Sequence, residues 1–127
     1  MVATPLWHVL VMDWTTVENT PPSARRPLEL QRWHFRVERL ARIVDRPVSE
    51  LSSELKAAAK QEALRQRRDM EIELAEDLAV CQALGKPINP PWRRRLEVLA
   101  EVSGEDPSSV EERVIASAAS IQVVKAN

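Results

Sequence analysis

Glycine is nearly missing from this chain, which has only Gly85 and Gly104 in 127 residues. A β-sandwich or barrel needs many glycine-bearing turns, and a phosphate-cradling loop needs clustered glycines so that backbone can approach its ligand, so neither has the raw material here. Cysteine is reduced to Cys81, which excludes an intrachain disulfide and makes the reducing cytoplasm the expected compartment. His8 and His34 lie far apart and belong to no His pair or His/Cys cluster, and no serine sits in a nucleophile-elbow context, so zinc chemistry and hydrolysis lack their parts. Long hydrophobic runs are absent too: the longest near the N-terminus, Leu6 to Met12, is interrupted by His8 and is far too short to span a bilayer. Tyrosine does not occur, and Phe35 is the single phenylalanine.

What is present is globular composition, with 44% apolar and 29% charged residues and a net charge of -1. That length and balance suit one domain with one core, and the near-neutral charge gives no general pull toward nucleic acid or acidic membranes. An electrostatic partner must therefore be met by a local patch.

Helical periodicity dominates. Leu30, Trp33, Val37, Leu40, Ala41 and Val44 fall on one side of a 3.6-residue period, which predicts an amphipathic helix opening near Pro27 and ending at Asp45-Arg46-Pro47. From Val48 through Leu84 no glycine or proline intervenes, a stretch of roughly 55 Å if helical throughout. Its apolar stripe fades at Arg65-Gln66-Arg67-Arg68-Asp69 and resumes out of phase at Met70, Leu74, Leu78, Cys81 and Leu84. Either the helix bends there or it continues as a partly exposed rod meeting another subunit. Gly85 through Pro91 is a clear break, with Asn89 placed to cap the next helix. Trp92, Leu96, Leu99, Ala100 and Val102 mark a third helix ended by Gly104, and Val110, Val114, Ala118 and Ile121 mark a fourth starting at Asp106-Pro107.

Sliding the chain by 59 residues lays the first hairpin on the last, so that Trp33 meets Trp92, Arg36 meets Arg95, Leu40 meets Leu99, Ala41 meets Ala100, Leu51 meets Val110 and Leu55 meets Val114. Any two amphipathic hairpins share a period, so the match is compatible with duplication without requiring it. On either account the hairpins should pack alike, each tryptophan anchoring a layer of core. The expected fold is therefore all-α: a small bundle of two similar helical hairpins joined by a long central helix, with a short N-terminal apolar segment. The segments are 1–14 (N-terminal, helix favoured over strand), 15–27 (extended linker), 28–84 (first hairpin and central helix) and 90–121 (second hairpin) within one domain.

The sharpest candidate surface is an arc of the first long helix carrying Arg32, Arg36, Arg39, Arg42 and Arg46, with Phe35 and Ile43 inside it. A purely solvated face has little reason to show Phe and Ile among arginines, whereas a surface for phosphate, RNA or an acidic protein does. The competing reading sandwiches this helix between the core and the acidic stretch Glu71, Glu73, Glu76 and Asp77. That stretch lacks a histidine or a second carboxylate-rich helix, so it reads as a solvated or salt-bridged face, not a metal site. The Arg93-Arg94-Arg95 run has Glu97 and Glu101 within pairing range along its own helix.

Ala100, Gly104 and Val110, and Ala41, Asp45 and Leu51, have the spacing of the turn in DNA-binding helix-turn-helix units. To that extent both hairpins resemble such units over about 20 residues each. The resemblance implies DNA binding, but it departs at Glu54 and Arg113, where a further apolar residue belongs. Ser52, Ser53, Glu111 and Glu112 are also poor material for reading base edges.

The expectation from sequence is a non-enzymatic helical interaction or assembly protein, a homo-oligomer or accessory subunit, with no cofactor, metal or small-molecule substrate and no membrane span. Trp7, Trp14, Met70, Leu74 and Leu78 are the candidate oligomer contacts. The alternative is a nucleic-acid-binding protein using the arginine-rich face or the helix-turn-helix-like units.

Overall fold

The computed structural model describes residues 5–121. They form five α-helices and one 3-10 turn, with no strand among them: α1 (Pro5–Glu18), the turn Pro22–Ala24, α2 (Pro27–Val44), α3 (Val48–Leu84), α4 (Pro90–Ser103) and α5 (Pro107–Ser120). The all-α expectation holds. α3 is one helix of 37 residues, since Arg65 to Asp69 weaken the apolar stripe without supplying a residue that breaks helical backbone.

The chain divides into two compact units, residues 1–65 and 66–127. Where length suggested one core, the apolar residues bury themselves in two clusters. The first contains Leu10 of α1, Trp33, Val37, Leu40 and Ala41 of α2, and Leu51 and Leu55 of α3. The second contains Leu74 and Leu78 of α3, Trp92, Leu96, Leu99 and Ala100 of α4, and Val110, Val114 and Ala118 of α5. Along α3 the buried positions run Leu51, Leu55, Ala59, Ala63 and then change to the pairs Leu74-Ala75 and Leu78-Ala79. The loss of phase seen in the sequence marks the passage from one cluster to the other.

Each unit is thus a three-helix assembly, and the two are built alike. All seven positions Trp33, Val37, Leu40, Ala41, Leu51, Leu55 and Ala59 are buried, and so are their counterparts 59 residues on. The repeat also reaches further than the hairpin. Trp33 Nε1 donates to the Leu10 carbonyl at 2.9 Å and Trp92 Nε1 donates to the Leu74 carbonyl at 2.9 Å. Arg36 pairs with Asp13 at 3.1 Å and Arg95 pairs with Asp77 at 2.6 Å. Leu10 and Asp13 stand 64 residues before Leu74 and Asp77, so α1 occupies in unit 1 the place that the C-terminal half of α3 occupies in unit 2.

The hairpin turns match as well. Asp45 (φ 53°) and Gly104 (φ 67°) both take the left-handed conformation after their helices. Arg46 N–H returns to the Ala41 carbonyl at 3.1 Å and Glu105 N–H to that of Ala100 at 2.9 Å, closing the same helix-terminating turn. Asn89 caps α4 as its position implied, its side-chain oxygen accepting from Trp92 N–H at 3.3 Å.

One segment boundary needs correction. The stretch 15–27 is not all extended linker, because α1 continues to Glu18. Thr15 Oγ1 donates to the Val11 carbonyl at 2.8 Å and Thr16 Oγ1 to that of Met12 at 3.2 Å, so hydroxyls that would otherwise compete with helical backbone are satisfied by the preceding turn. Thr15 is also buried, with the Ala59 carbonyl a further acceptor at 3.4 Å.

Candidate interaction faces

The candidate contacts at Trp7, Trp14, Met70, Leu74 and Leu78 are largely used inside the chain. Leu74 and Leu78 belong to the second core, and Met70 packs against it half-buried. Trp7 and Trp14 pack against the first core. The Trp14 ring lies 4.4 Å from that of Trp33, its Nε1 donates to Glu18 at 3.1 Å, and Lys56 Nζ sits 4.7 Å from its centroid. The N-terminal segment therefore docks on its own unit, because an amphipathic helix adjoining Trp33 and Leu55 can bury its apolar side locally.

The arginine-rich arc of α2 has the opposite fate. Phe35 is 58% exposed and Ile43 64% exposed, and Leu28 at the start of the same face is 58% exposed. Arg32, Arg39 and Arg42 are exposed and have no carboxylate partner among the described residues. No acidic layer of the unit covers this helix. Two members of the arc do have structural work: Arg36 pairs with Asp13, while Arg46 pairs with Glu50 and, at 2.6 Å, with Glu54. Glu54 and Glu50 together raise the Arg46 guanidinium further above its ordinary value, and Arg46 in turn holds the Glu54 carboxyl below the usual carboxylate range.

The same pair explains where the helix-turn-helix resemblance departs. Glu54 and Arg113 stand where an apolar residue belongs, and each closes an ion pair to the residue just past the left-handed position: Arg46 to Glu54, and Glu105 to Arg113 at 2.7 Å. The two units make this contact with charges reversed. Arg113 also takes Glu71 at 2.7 Å, and both carboxylates raise its guanidinium above the ordinary arginine value. The Arg93–Arg95 run is tied across helices instead of along its own: Arg93 pairs with Glu111 at 3.2 Å and Arg95 with Asp77.

A second face was not singled out from the sequence as a contact. On the outer side of α3 in unit 2, Ile72 is 53%, Val80 44% and Leu84 54% exposed. Asp69, Glu73 and Glu76 are exposed among them without a basic partner in the described residues. From the sequence the acidic stretch drew attention as a layer over the arginine-bearing helix and as a metal or salt-bridge candidate, and the interleaved apolar residues were the missed signal. Charge divides accordingly between the units. Residues 1–65 hold ten Lys/Arg and eight Asp/Glu, a net of +2, and residues 66–127 hold eight and eleven, a net of -3.

A groove of about 320 Å³ lies between the end of α1, the 3-10 turn and the start of α2, edged by Arg25, Arg26, Glu29 and Arg32. Arg25 is committed to the Val17 and Thr20 carbonyls there, at 3.2 Å each. Among the described residues no cluster of His, Cys, Asp or Glu has the geometry to hold a metal ion, and no helix is long and apolar enough to cross a membrane. No protein-family model, curated protein or solved structure matches the chain.

Proposed function

We propose that this protein is a non-enzymatic assembly protein that acts through protein–protein contacts as a homo-oligomer, with the outer face of α2 as a docking surface. The observation that carries this reading is the exposure of Leu28, Phe35 and Ile43 among Arg32, Arg39 and Arg42. Apolar side chains left in water along one helix gain free energy when covered, and arginine is the cation most at home at a protein interface because its charge is weakly hydrated and its stem is apolar. A phosphate backbone rewards the arginines but leaves the three large apolar residues largely unrewarded.

The nucleic-acid reading rests on the arginine-rich face and on the paired hairpin turns. It is weakened by the helices that follow those turns, whose outward positions include Ser53, Glu50, Glu112 and Ser109, residues ill suited to phosphate contacts or to the commonest base contacts.

The test is size-exclusion chromatography with light scattering at low and moderate salt, with and without a mixed DNA/RNA pool, on the wild-type chain and a Phe35→Ser/Ile43→Ser variant. A multimer indifferent to the pool and reduced to monomer by the double substitution is expected. A monomeric wild type, or a salt-sensitive complex with the pool that survives loss of Phe35 and Ile43, overturns the reading.

A further inference from the structure

The exposed face of α2 and the exposed outer face of α3 in unit 2 share a spacing. On α2 the stripe is Leu28, Arg32, Phe35, Arg39, Arg42 and Ile43. On α3 it is Asp69, Glu73, Glu76, Val80, Ala83 and Leu84. Position by position, the second stripe lies 41 residues after the first, so both cover about 22 Å of helix with the same seven-residue rhythm of neighbouring side chains. One stripe sets free arginines among large apolar residues, and the other sets free carboxylates among large apolar residues. Leu28, Phe35 and Ile43 on the first and Val80 and Leu84 on the second are between 44% and 64% exposed.

These faces are complementary in sign, alike in length, and each is incomplete alone. Within the repeat, neither face has a copy. The α2 positions Arg32, Phe35 and Arg39 correspond to Pro91, Arg94 and Val98 in α4, and the α3 positions Ile72, Glu73 and Glu76 correspond to His8, Val9 and Met12 in α1. Each unit has therefore acquired one half of a matched pair on a framework that is otherwise shared.

We propose that the occupant of the Leu28–Ile43 face is the Asp69–Leu84 face of a second copy of this chain. This deepens the assembly reading and rests on it. Apolar residues of the two helices cover one another while Arg32, Arg39 and Arg42 meet Asp69, Glu73 and Glu76 around them, which fixes partner choice by charge as well as by shape. The contact is heterologous, joining different surfaces of the two copies, so every copy offers one donor and one acceptor face and association continues until it closes on itself. A single pair of helix faces falls short of the roughly 1,200 Å² of a stable interface. Association is accordingly expected to depend on protein concentration in the micromolar range and to weaken as salt rises.

The experiment uses sedimentation velocity on three full-length proteins: wild type, Arg32→Glu/Arg39→Glu, and Glu73→Arg/Glu76→Arg. All four substituted positions are solvent-facing, and circular dichroism checks that each variant keeps its helix content. The wild type is expected to associate, each variant alone to sediment as monomer, and an equimolar mixture of the two variants to regain association, because the untouched α3 face of the first meets the untouched α2 face of the second and the two reversed faces are again opposite in charge. Rescue on mixing is a result that damage to folding does not produce. Association of the Glu73→Arg/Glu76→Arg protein at wild-type strength overturns the choice of occupant. If the α2 variants alone are dissociated, the assembly reading survives that failure. A wild type that stays monomeric and instead shifts with added RNA overturns both.

Discussion

The two units of this protein share an interior and differ in the charged and apolar residues that they leave unpaired in solvent. The seven buried positions from Trp33 to Ala59 each have a buried counterpart in the second hairpin, down to a tryptophan whose indole N–H reaches the carbonyl of a leucine on the preceding helix. Outside, one unit carries free arginines beside Phe35 and Ile43, and the other carries free carboxylates beside Ile72 and Val80. The comparison works as an internal control. Interior positions are held by packing density and by the cost of an unsatisfied indole, which leave little room for change. Exposed positions have no such constraint, so what distinguishes the units there is where function has freedom to reside.

The comparison is broken most severely at the tryptophans. Replacing a buried tryptophan with alanine costs about 3–5 kcal/mol, from lost burial and the cavity left behind. Trp33 is further supported by the neighbouring Trp14 ring, where unit 2 has Leu78 at the corresponding position, and such aromatic pairs add about 0.5–1.5 kcal/mol. Trp33→Ala is therefore expected to destabilise more than Trp92→Ala in urea unfolding. Hydrogen exchange should show the loss of protection concentrated in residues 1–65 for the first and 66–121 for the second. Equal losses, or loss of protection throughout from either variant, would falsify the description of the halves as separately packed units. Trp→Phe at either site keeps most of the ring but removes the N–H, and a cost of about 1–3 kcal/mol is expected in both.

Most of this interior was legible in the sequence. The 59-residue offset aligned Trp33 with Trp92 and Leu55 with Val114 because buried positions on a helix recur at a fixed period and tolerate few residue types. What stayed hidden was the contribution of α1. Its correspondence to the end of α3 runs at an offset of 64, not 59, because Leu10 stands five residues further from Trp33 than Leu74 does from Trp92, and its Thr15-Thr16-Val17 end has the composition of an extended segment. Only the matching indole and Arg–Asp contacts show that Leu10 stands for Leu74. The candidate surfaces were legible in part for a similar reason. Arg32 to Ile43 stood out because Phe and Ile interrupt the arginines, whereas the apolar phase of α3 at Met70, Leu74 and Leu78 suggested a contact but served the core. The free apolar residues were Ile72 and Val80 of the other phase, which periodicity alone assigns to solvent, and Leu84, which the stripe had included but which stands exposed at the end of the helix.

A smaller effect separates the turns. Both require a left-handed residue, which glycine adopts without steric penalty and a residue with a Cβ adopts at roughly 1 kcal/mol. Unit 2 has Gly104 there and unit 1 has Asp45. Asp45→Gly is expected to raise the melting temperature, and Gly104→Ala to lower it, by amounts corresponding to about 1 kcal/mol each. No atom lies within 4 Å of a Cβ placed on Gly104, so the cost there is conformational and not a clash. If Asp45→Gly destabilises instead, the aspartate makes a contribution to its turn beyond filling the conformation.

The smallest expected effect concerns the reversed ion pairs that follow those turns. Glu54 is held below the usual carboxylate range chiefly by its hydrogen bonds from Arg46. A carboxylate whose folded value is lowered contributes stability that is fully present above its unfolded value and is lost as pH falls through the folded one. The wild type should therefore lose stability on acidification, and Glu54→Gln should lose less over the same acid range while starting lower at neutral pH. Glu54 is exposed and Arg46 half-buried, so the change is expected to be small and to shrink in salt. Charge reversal sharpens the point: Arg46→Glu alone places a third carboxylate beside Glu50 and Glu54 and should destabilise, whereas Arg46→Glu/Glu54→Arg gives unit 1 the orientation already found at Glu105 and Arg113. Recovery in the double variant, read as a coupling between the two substitutions in thermal unfolding, would show that the turn needs opposite charges at these two positions and is indifferent to which residue carries which. Additive losses would mean that Glu50, which has no equivalent partner in unit 2, fixes the direction in unit 1.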